Sequence, residues 1–122
     1  MLRHSLHAEV NLLHAQVCRG LADPKRILLL YALADGPRRV TDLANALGLP
    51  QPTVSHHLRI LRERGLVVGQ RRGTEVTYAL ADRRVIEALD LLRAVLADML
   101  ARQADLAQRV GASQEEGEPA DR

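Results

Sequence analysis

The chain has 122 residues, of which 47% are apolar, 26% charged and 2% aromatic, proportions typical of a single soluble globular domain with an aliphatic core. One cysteine excludes an intramolecular disulfide, and the longest apolar run, residues 27–34, is too short to cross a membrane. The N-terminal residues do not have the pattern of a signal peptide. These features predict a cytoplasmic protein without a membrane partner.

Positive charge is concentrated in the middle of the sequence. The whole chain carries only +2, but residues 51–84 contain seven arginines against three acidic residues, and residues 111–122 contain four acidic residues against one arginine. A guanidinium group suits phosphate and guanine. The basic segment therefore favours nucleic acid as a partner, and a merely solvated surface is the alternative.

Two helices are predicted in the first third of the chain. The first spans about residues 4–19, because apolar residues recur at intervals of four, three and four. This seam consists of Leu6, Val10, Leu13 and Val17. Asp23 followed by Pro24 is typical of a helix start, and the Gly-Pro pair at 36–37 ends the second helix.

The next two predicted helices have helix-turn-helix spacing. Thr41 is expected to cap a short helix over residues 42–47, and a fourth helix begins near Gln51, after only residues 48–50. Helical phase places Val54, His57, Leu58 and Leu61 on its inner face, and Ser55, His56, Arg59 and Arg62 toward the outside. His57 is therefore expected to be a packed core histidine.

A β-hairpin and a long helix complete the predicted fold. Residues 66–68 and the alternating residues 75–80 flank a basic, glycine-containing tip at 70–74. Asp82 is expected to cap the last helix, whose apolar seam is too long for so small a domain to cover. We therefore expect a mostly α winged helix-turn-helix domain over residues 1–111, in the order α-α-α-α-β-β-α. Its first and last helices would form a homodimer, and residues 112–122 would be a disordered acidic tail.

This architecture predicts a DNA-binding protein and not an enzyme. A recognition helix enters the major groove, and a basic wing lies along the backbone or in the minor groove. The expected DNA-contacting residues are Gln51, Thr53, Ser55, His56, Arg59, Arg62, Arg71, Arg72 and Thr74. The residues suited to base edges or nearby phosphates are Gln51, Ser55, His56 and Arg59. Those suited to the DNA backbone are Arg62, Arg71, Arg72 and Thr74. The chain lacks a glycine-rich phosphate loop, and a winged helix that binds protein is the alternative function.

Several motifs together resemble the ArsR/SmtB family of bacterial repressors. They are Leu43-Ala44, Leu47-Gly48-Leu49, Thr53-Val54-Ser55-His56-His57-Leu58, Leu61-Arg62 and Gly65-Leu66-Val67. The resemblance covers about residues 18–110 and implies a homodimer that binds an inverted-repeat operator on double-stranded DNA and is released by an effector. Pro50 departs from the family pattern, which usually has serine or a similar cap there.

The family's two usual metal sites are absent. The first uses a Cys-x-Cys cluster at the start of the third helix, where residues 38–42 contain no cysteine. The second pairs acids with histidines on the last helix; Asp82 and Asp98 match the acids, but Arg84 and Val95 replace the histidines. Two carboxylates alone do not hold zinc or nickel well.

The first helix offers a different set of metal ligands. At 100° per residue, His4, His7, His14 and Cys18 lie within about 80° of one another. A nickel or zinc ion bound there would take Asp98 or Asp105 of the partner subunit as further ligands. The alternatives are a polar edge with an inert Cys18, a thiol-redox role for Cys18, and a repressor that needs no effector.

Overall fold

The computed structural model describes the backbone of residues 2–117 and the side chains of residues 4–113. Its elements follow the predicted order, with one short strand added. They are α1 (Leu2–Leu13), a π-helical turn (His14–Cys18), α2 (Pro24–Ala32), β1 (Arg38–Arg39), α3 (Val40–Leu47), α4 (Gln51–Glu63), β2 (Val67–Arg72), β3 (Glu75–Leu80) and α5 (Arg84–Gly117). The chain forms two compact units, Met1–Ile86 and Glu87–Arg122.

The core of the first unit is aliphatic, as expected. Its buried apolar side chains are Leu29, Leu30, Leu33, Leu43, Ala44, Val54, Leu58, Leu61, Leu66, Val67 and Ile86. They come from α2 and the residue that ends it, from α3 and α4, from the start of β2 and the residue before it, and from the first turn of α5, so these segments pack around a common centre. The predicted cap of α2 is confirmed, since the Asp23 carboxylate accepts a 2.8 Å hydrogen bond from the backbone N–H of Lys25.

The helix-turn-helix is present, but α3 starts earlier than expected. The helix begins at Val40, and Thr41 lies inside it. Arg39 occupies the N-cap position, and the Asp42 carboxylate in the first turn accepts a hydrogen bond from the backbone N–H of Arg39 at 3.3 Å. Gly48 ends α3 in the left-handed conformation, with φ 65° and ψ 35°, and leads into the short turn before α4.

The wing is a three-stranded antiparallel sheet in the order β1-β3-β2. The β2–β3 register pairs Val67 with Leu80 at the base and Arg72 with Glu75 at the tip. The predicted hairpin is present, and the apolar residues Val76, Tyr78 and Leu80 alternate with Glu75, Thr77 and Ala79 along β3. Residues 76–80 are all half-buried, and β3 lies between the other two strands.

The last helix is longer than expected. Its cap is confirmed, since Asp82 accepts a 2.8 Å hydrogen bond from the backbone N–H of Arg84. The Arg84 guanidinium, 2.7 Å from the Asp82 carboxylate, also lowers the pKa of Asp82 to about 2. Residues 112–117, the start of the predicted disordered tail, are helical. The remaining predicted tail, residues 118–122, lies outside the described residues, and the domain boundary at residue 111 stays a prediction.

Within the second unit, α5 exposes a series of large apolar side chains. Leu91, Leu92, Val95, Leu96, Leu100 and Leu106 are each more than half exposed. No helix within residues 2–117 is both long enough and apolar enough to cross a membrane. Exposed apolar side chains in this number are typical of an interaction surface.

Candidate nucleic-acid interface

Helix α4 divides into a buried face and an exposed face, in the phase predicted from the sequence. Val54, His57, Leu58 and Leu61 are buried. Ser55, His56, Arg59 and Arg62 are exposed. The apolar residues fix the rotation of α4 against the core, and this rotation directs the polar residues to solvent.

The start of α4 lacks a side-chain cap. Pro50 occupies the N-cap position with φ −61° and ψ 144°, and its side chain forms no capping hydrogen bond. Even so, the helix begins at Gln51, as expected, because proline is well tolerated in the first turn. Gln51 is exposed and Thr53 is half-buried. The backbone N–H groups at this end of the helix favour an anion such as a DNA phosphate.

Two of the predicted base-contacting residues touch each other. The Nη2 atom of Arg59 lies 3.2 Å from Nδ1 of His56. The arginine N–H is the donor in this contact, because a guanidinium group has no acceptor. The contact restricts the Arg59 side chain on the exposed face of α4 and orients its guanidinium before any ligand binds.

The wing places the other predicted arginines around a two-residue turn. Gly73 has a φ of 63°, which glycine adopts without strain. Arg71, Arg72 and Thr74 are exposed beside it. Arg72 faces Glu75 across the hairpin. However, the Glu75 carboxylate accepts a 3.0 Å hydrogen bond from Nη1 of Arg39.

The acidic side chains of this region therefore do not neutralise the exposed arginines. Arg39 binds both Asp42 and Glu75, which joins the start of α3 to the wing. Sequence reasoning missed this contact, because it spans residues far apart in the chain. Within residues 4–113, none of Arg59, Arg62, Arg71 and Arg72 forms an ion pair.

His57 has the packed position expected from helical phase. Its side chain is buried, and its Nδ1 atom lies 3.3 Å from Nη1 of Arg26 on α2. Burial lowers the pKa of His57, against the opposing effect of the Asp23 carboxylate. His57 is therefore a neutral acceptor for Arg26 and a part of the core, whereas its neighbour His56 faces solvent.

The candidate metal ligands of the first helix are spread over its exposed surface. Its candidate ligands His4, His7, His14 and Cys18 are all exposed. The predicted stripe assumed 100° per residue throughout, but the π-helical turn over His14–Cys18 has more residues per turn than an α-helix, so that assumption was wrong. Among the residues that the structure describes, no three His, Cys, Asp or Glu side chains converge to hold an ion.

The predicted carboxylate ligands on α5 differ in their surroundings. The Asp105 carboxylate forms an ion pair with the Arg109 guanidinium, 3.1 Å away on the same helix. Asp98 is exposed. Within residues 4–113, Asp98 forms no ion pair.

Known proteins match this chain in sequence and fold. Residues 23–68 match the family described as bacterial regulatory protein, arsR family. The transcriptional regulator NmtR of Mycobacterium tuberculosis is 49% identical over 76 residues, covering 62% of this chain and 63% of NmtR. The match thus spans slightly less than two thirds of that relative.

Two further matches cover more of the related protein. The transcriptional regulator CmtR of M. tuberculosis is 48% identical over 84 residues, or 68% of this chain and 71% of CmtR. The solved structure of the cadmium metal-sensor CmtR matches this chain with a TM-score of 0.55 at 47% identity. The match covers 64% of this chain and 81% of the solved CmtR chain.

A solved homodimer also agrees with this chain in fold. The homodimeric winged helix-turn-helix DNA-binding domain of Mb0332 from Mycobacterium bovis matches with a TM-score of 0.68 at 32% identity, over 79% of this chain and 88% of that one. The predicted fold is confirmed by this match. With CmtR 48% identical and covered over 71% of its length, the chain belongs to the arsR family of bacterial regulatory proteins.

Proposed function

We propose that the chain is a homodimeric transcriptional repressor that binds an inverted-repeat operator on double-stranded DNA. One observation carries the proposal: the exposed arginines of α4 and of the wing form no ion pair within residues 4–113, while the neighbouring acids bind Arg39 instead. Unpaired guanidinium groups on a recognition helix and its wing are suited to phosphate and guanine.

In this proposal α4 reads bases and the wing holds the backbone. Gln51, Ser55, His56 and Arg59 contact base edges in the major groove, with Thr53 beside them. Arg62, Arg71, Arg72 and Thr74 contact phosphate or sugar groups. Arg59 is the strongest candidate for guanine, because the His56 ring already restricts it at 3.2 Å.

The apolar face of α5 supports the dimer. Leu92 and Leu96 are 60% and 53% exposed in the single chain. Full burial of an exposed leucine contributes about 1.5–3 kcal/mol, so burying the exposed part of each side chain against a partner contributes roughly half of that amount. The solved relative Mb0332 is itself homodimeric. The last helix, together with the first, therefore forms the proposed interface.

The test of DNA binding starts from random duplexes. Repeated selection of the duplexes that the full chain binds is expected to enrich an inverted repeat. Fluorescence anisotropy then measures the affinity of the chain for that repeat at several salt concentrations. Binding that is insensitive to salt, or a failure to enrich any sequence, would contradict the proposal. A stable complex with a protein partner in place of DNA would favour the interaction-module alternative.

We propose further that the effector is a transition-metal ion such as nickel or zinc. Imidazole and thiolate groups suit these ions, and relative CmtR is a cadmium metal-sensor. No single chain holds a complete site among the described residues. His14 and Cys18, with the more N-terminal His4 and His7, would therefore need a carboxylate such as Asp98 of the partner subunit.

Calorimetry with nickel and zinc tests the metal proposal. The parent is compared with a His7→Ala, His14→Ala, Cys18→Ser triple variant, and operator affinity is measured beside it. The variant is expected to lose metal binding and keep DNA binding. Equal metal affinity in both proteins would remove the first helix as the site. No binding in either would indicate a repressor with another signal, and release by an oxidant would indicate a thiol-redox role for Cys18.

A further inference from the structure

Two arginines outside the proposed DNA surface bind the end of the first helix. Arg26 on α2 donates from Nε to the carbonyl of Gly20 at 2.8 Å and from Nη2 to the carbonyl of Arg19 at 3.1 Å. Arg64, directly after α4, donates from Nη1 to the carbonyl of Ala15. We name these two guanidinium groups and three carbonyls the first-helix junction.

The backbone of the first helix is altered where the junction forms. Ala15 lies in the π-helical turn, in which the backbone N–H of Arg19 bonds to the carbonyl of His14, five residues back. This turn interrupts the regular α-helical hydrogen bonding, as π turns do, and such turns are frequent at functional sites. The Arg64 guanidinium supplies a donor to a carbonyl within the interruption.

The packing at the junction is close and specific. Gly20 is buried, and a Cβ atom at that position would lie 2.7 Å from Cδ1 of Leu66 and 3.5 Å from Cβ of Arg64. The end of the first helix therefore rests directly on the residues that follow α4. Only glycine permits this approach without displacing Leu66.

The junction also reaches the middle of the recognition helix. The third donor of Arg26, Nη1, lies 3.3 Å from Nδ1 of the buried His57. The Arg26 guanidinium thus joins α2, α4 and the end of the first helix. Arg26 acts near the middle of α4 and Arg64 acts at its end, so the two contacts fix both the position and the direction of α4.

We propose that Arg26 and Arg64 are positioning residues that set the recognition helix relative to the first helix. This inference rests on the proposed function, in which the first helix lies in the dimer interface and α4 reads DNA. In that arrangement the junction determines the separation of the two recognition helices. That separation must match half-sites about one DNA turn, roughly 34 Å, apart.

A DNA-independent experiment tests the junction itself. Hydrogen exchange is measured on the full chain for the parent, Arg64→Met, Arg64→Lys and the control Arg19→Met, which removes an exposed side chain and keeps the Arg19 carbonyl. Methionine preserves the aliphatic packing beside Gly20. Exchange in residues 14–22 is expected to rise about tenfold in Arg64→Met, the scale of one lost charged hydrogen bond. The lysine variant should recover part of this protection.

The second experiment tests the effect on DNA spacing. Affinity is measured on the selected inverted repeat and on duplexes whose half-sites are moved apart by one and two base pairs. The parent is expected to prefer one spacing sharply, whereas Arg64→Met binds that spacing about tenfold more weakly and discriminates less among the others. A merely structural defect would weaken all spacings equally.

The outcomes separate this inference from the proposed function. Parent-like exchange at residues 14–22, or an unchanged spacing preference in Arg64→Met, would overturn the positioning role. If the parent itself selects no DNA sequence, the proposed function is wrong, and the exchange comparison alone then decides whether Arg64 holds the first helix.

Discussion

Removing the two wing arginines should change how DNA affinity depends on salt. Arg71 and Arg72 are exposed and form no ion pair within residues 4–113, so both are available to phosphates. In a dimer the Arg71→Ala, Arg72→Ala double variant loses about four phosphate contacts, which flattens the slope of log K against log salt by about 3.6. Between 50 and 200 mM salt, the parent should lose about 150-fold more affinity than the variant.

Fluorescence anisotropy on the selected operator at several salt concentrations measures this slope. A Lys25→Ala, Arg19→Ala variant is the matched control, because it removes the same formal charge from exposed positions that the proposal does not assign to DNA. Thermal unfolding establishes that both variants fold. A slope that flattens by less than about 1, or equally in both variants, would refute the assignment of the wing to phosphates.

Three further changes have definite expected results. Arg59→Ala and His56→Ala should each cost about 1–3 kcal/mol of discrimination at particular base pairs, measured by affinity across single-base operator variants; a uniform loss would contradict base readout. A Leu92→Glu, Leu96→Glu variant should sediment as a monomer and lose operator binding, and a folded, operator-binding monomer would contradict the proposed interface. Burial lowers the pKa of His57 below its ordinary value of 6.5. As the pH falls through that value, His57 therefore binds a proton more readily in the unfolded chain than in the folded chain. Stability to urea should therefore fall as the pH drops below about 6.5, and a His57→Gln variant should lack this part of the pH dependence.

Features that depend on neighbouring residues were predictable from the sequence. The Asp23-Pro24 start of α2 and the phase of α4 follow from local capping and from which apolar residues must be buried. The same phase distinguished buried His57 from exposed His56. The prediction of a regulatory protein rather than an enzyme is confirmed by the family.

Features that depend on distant residues were not predictable. β1 contains only two residues and exists because Arg38 and Arg39 pair with Tyr78 and Thr77. The early start of α3 follows from that pairing and from the hydrogen bond between the Arg39 backbone N–H and the Asp42 carboxylate. The π-helical turn contains neither proline nor glycine. Its Ala15 carbonyl is bound by an arginine 49 positions away. Periodicity at 100° per residue carries no information about such a contact.

The unequal support of the two ends of the wing has a mechanical consequence. β1 pairs with β3 only at Thr77 and Tyr78, midway along the hairpin, and Val67 at the base is buried in the core. The wing is therefore supported in its inner half and is a two-stranded ribbon toward Gly73. A two-stranded ribbon is marginally stable by itself, and it bends and twists more easily than a wider sheet. We expect the wing to be stiff where it joins the core and compliant where it carries its arginines. A wing with a compliant tip can fit DNA grooves of different width at little energetic cost. Sequence discrimination then depends on the rigidly packed α4.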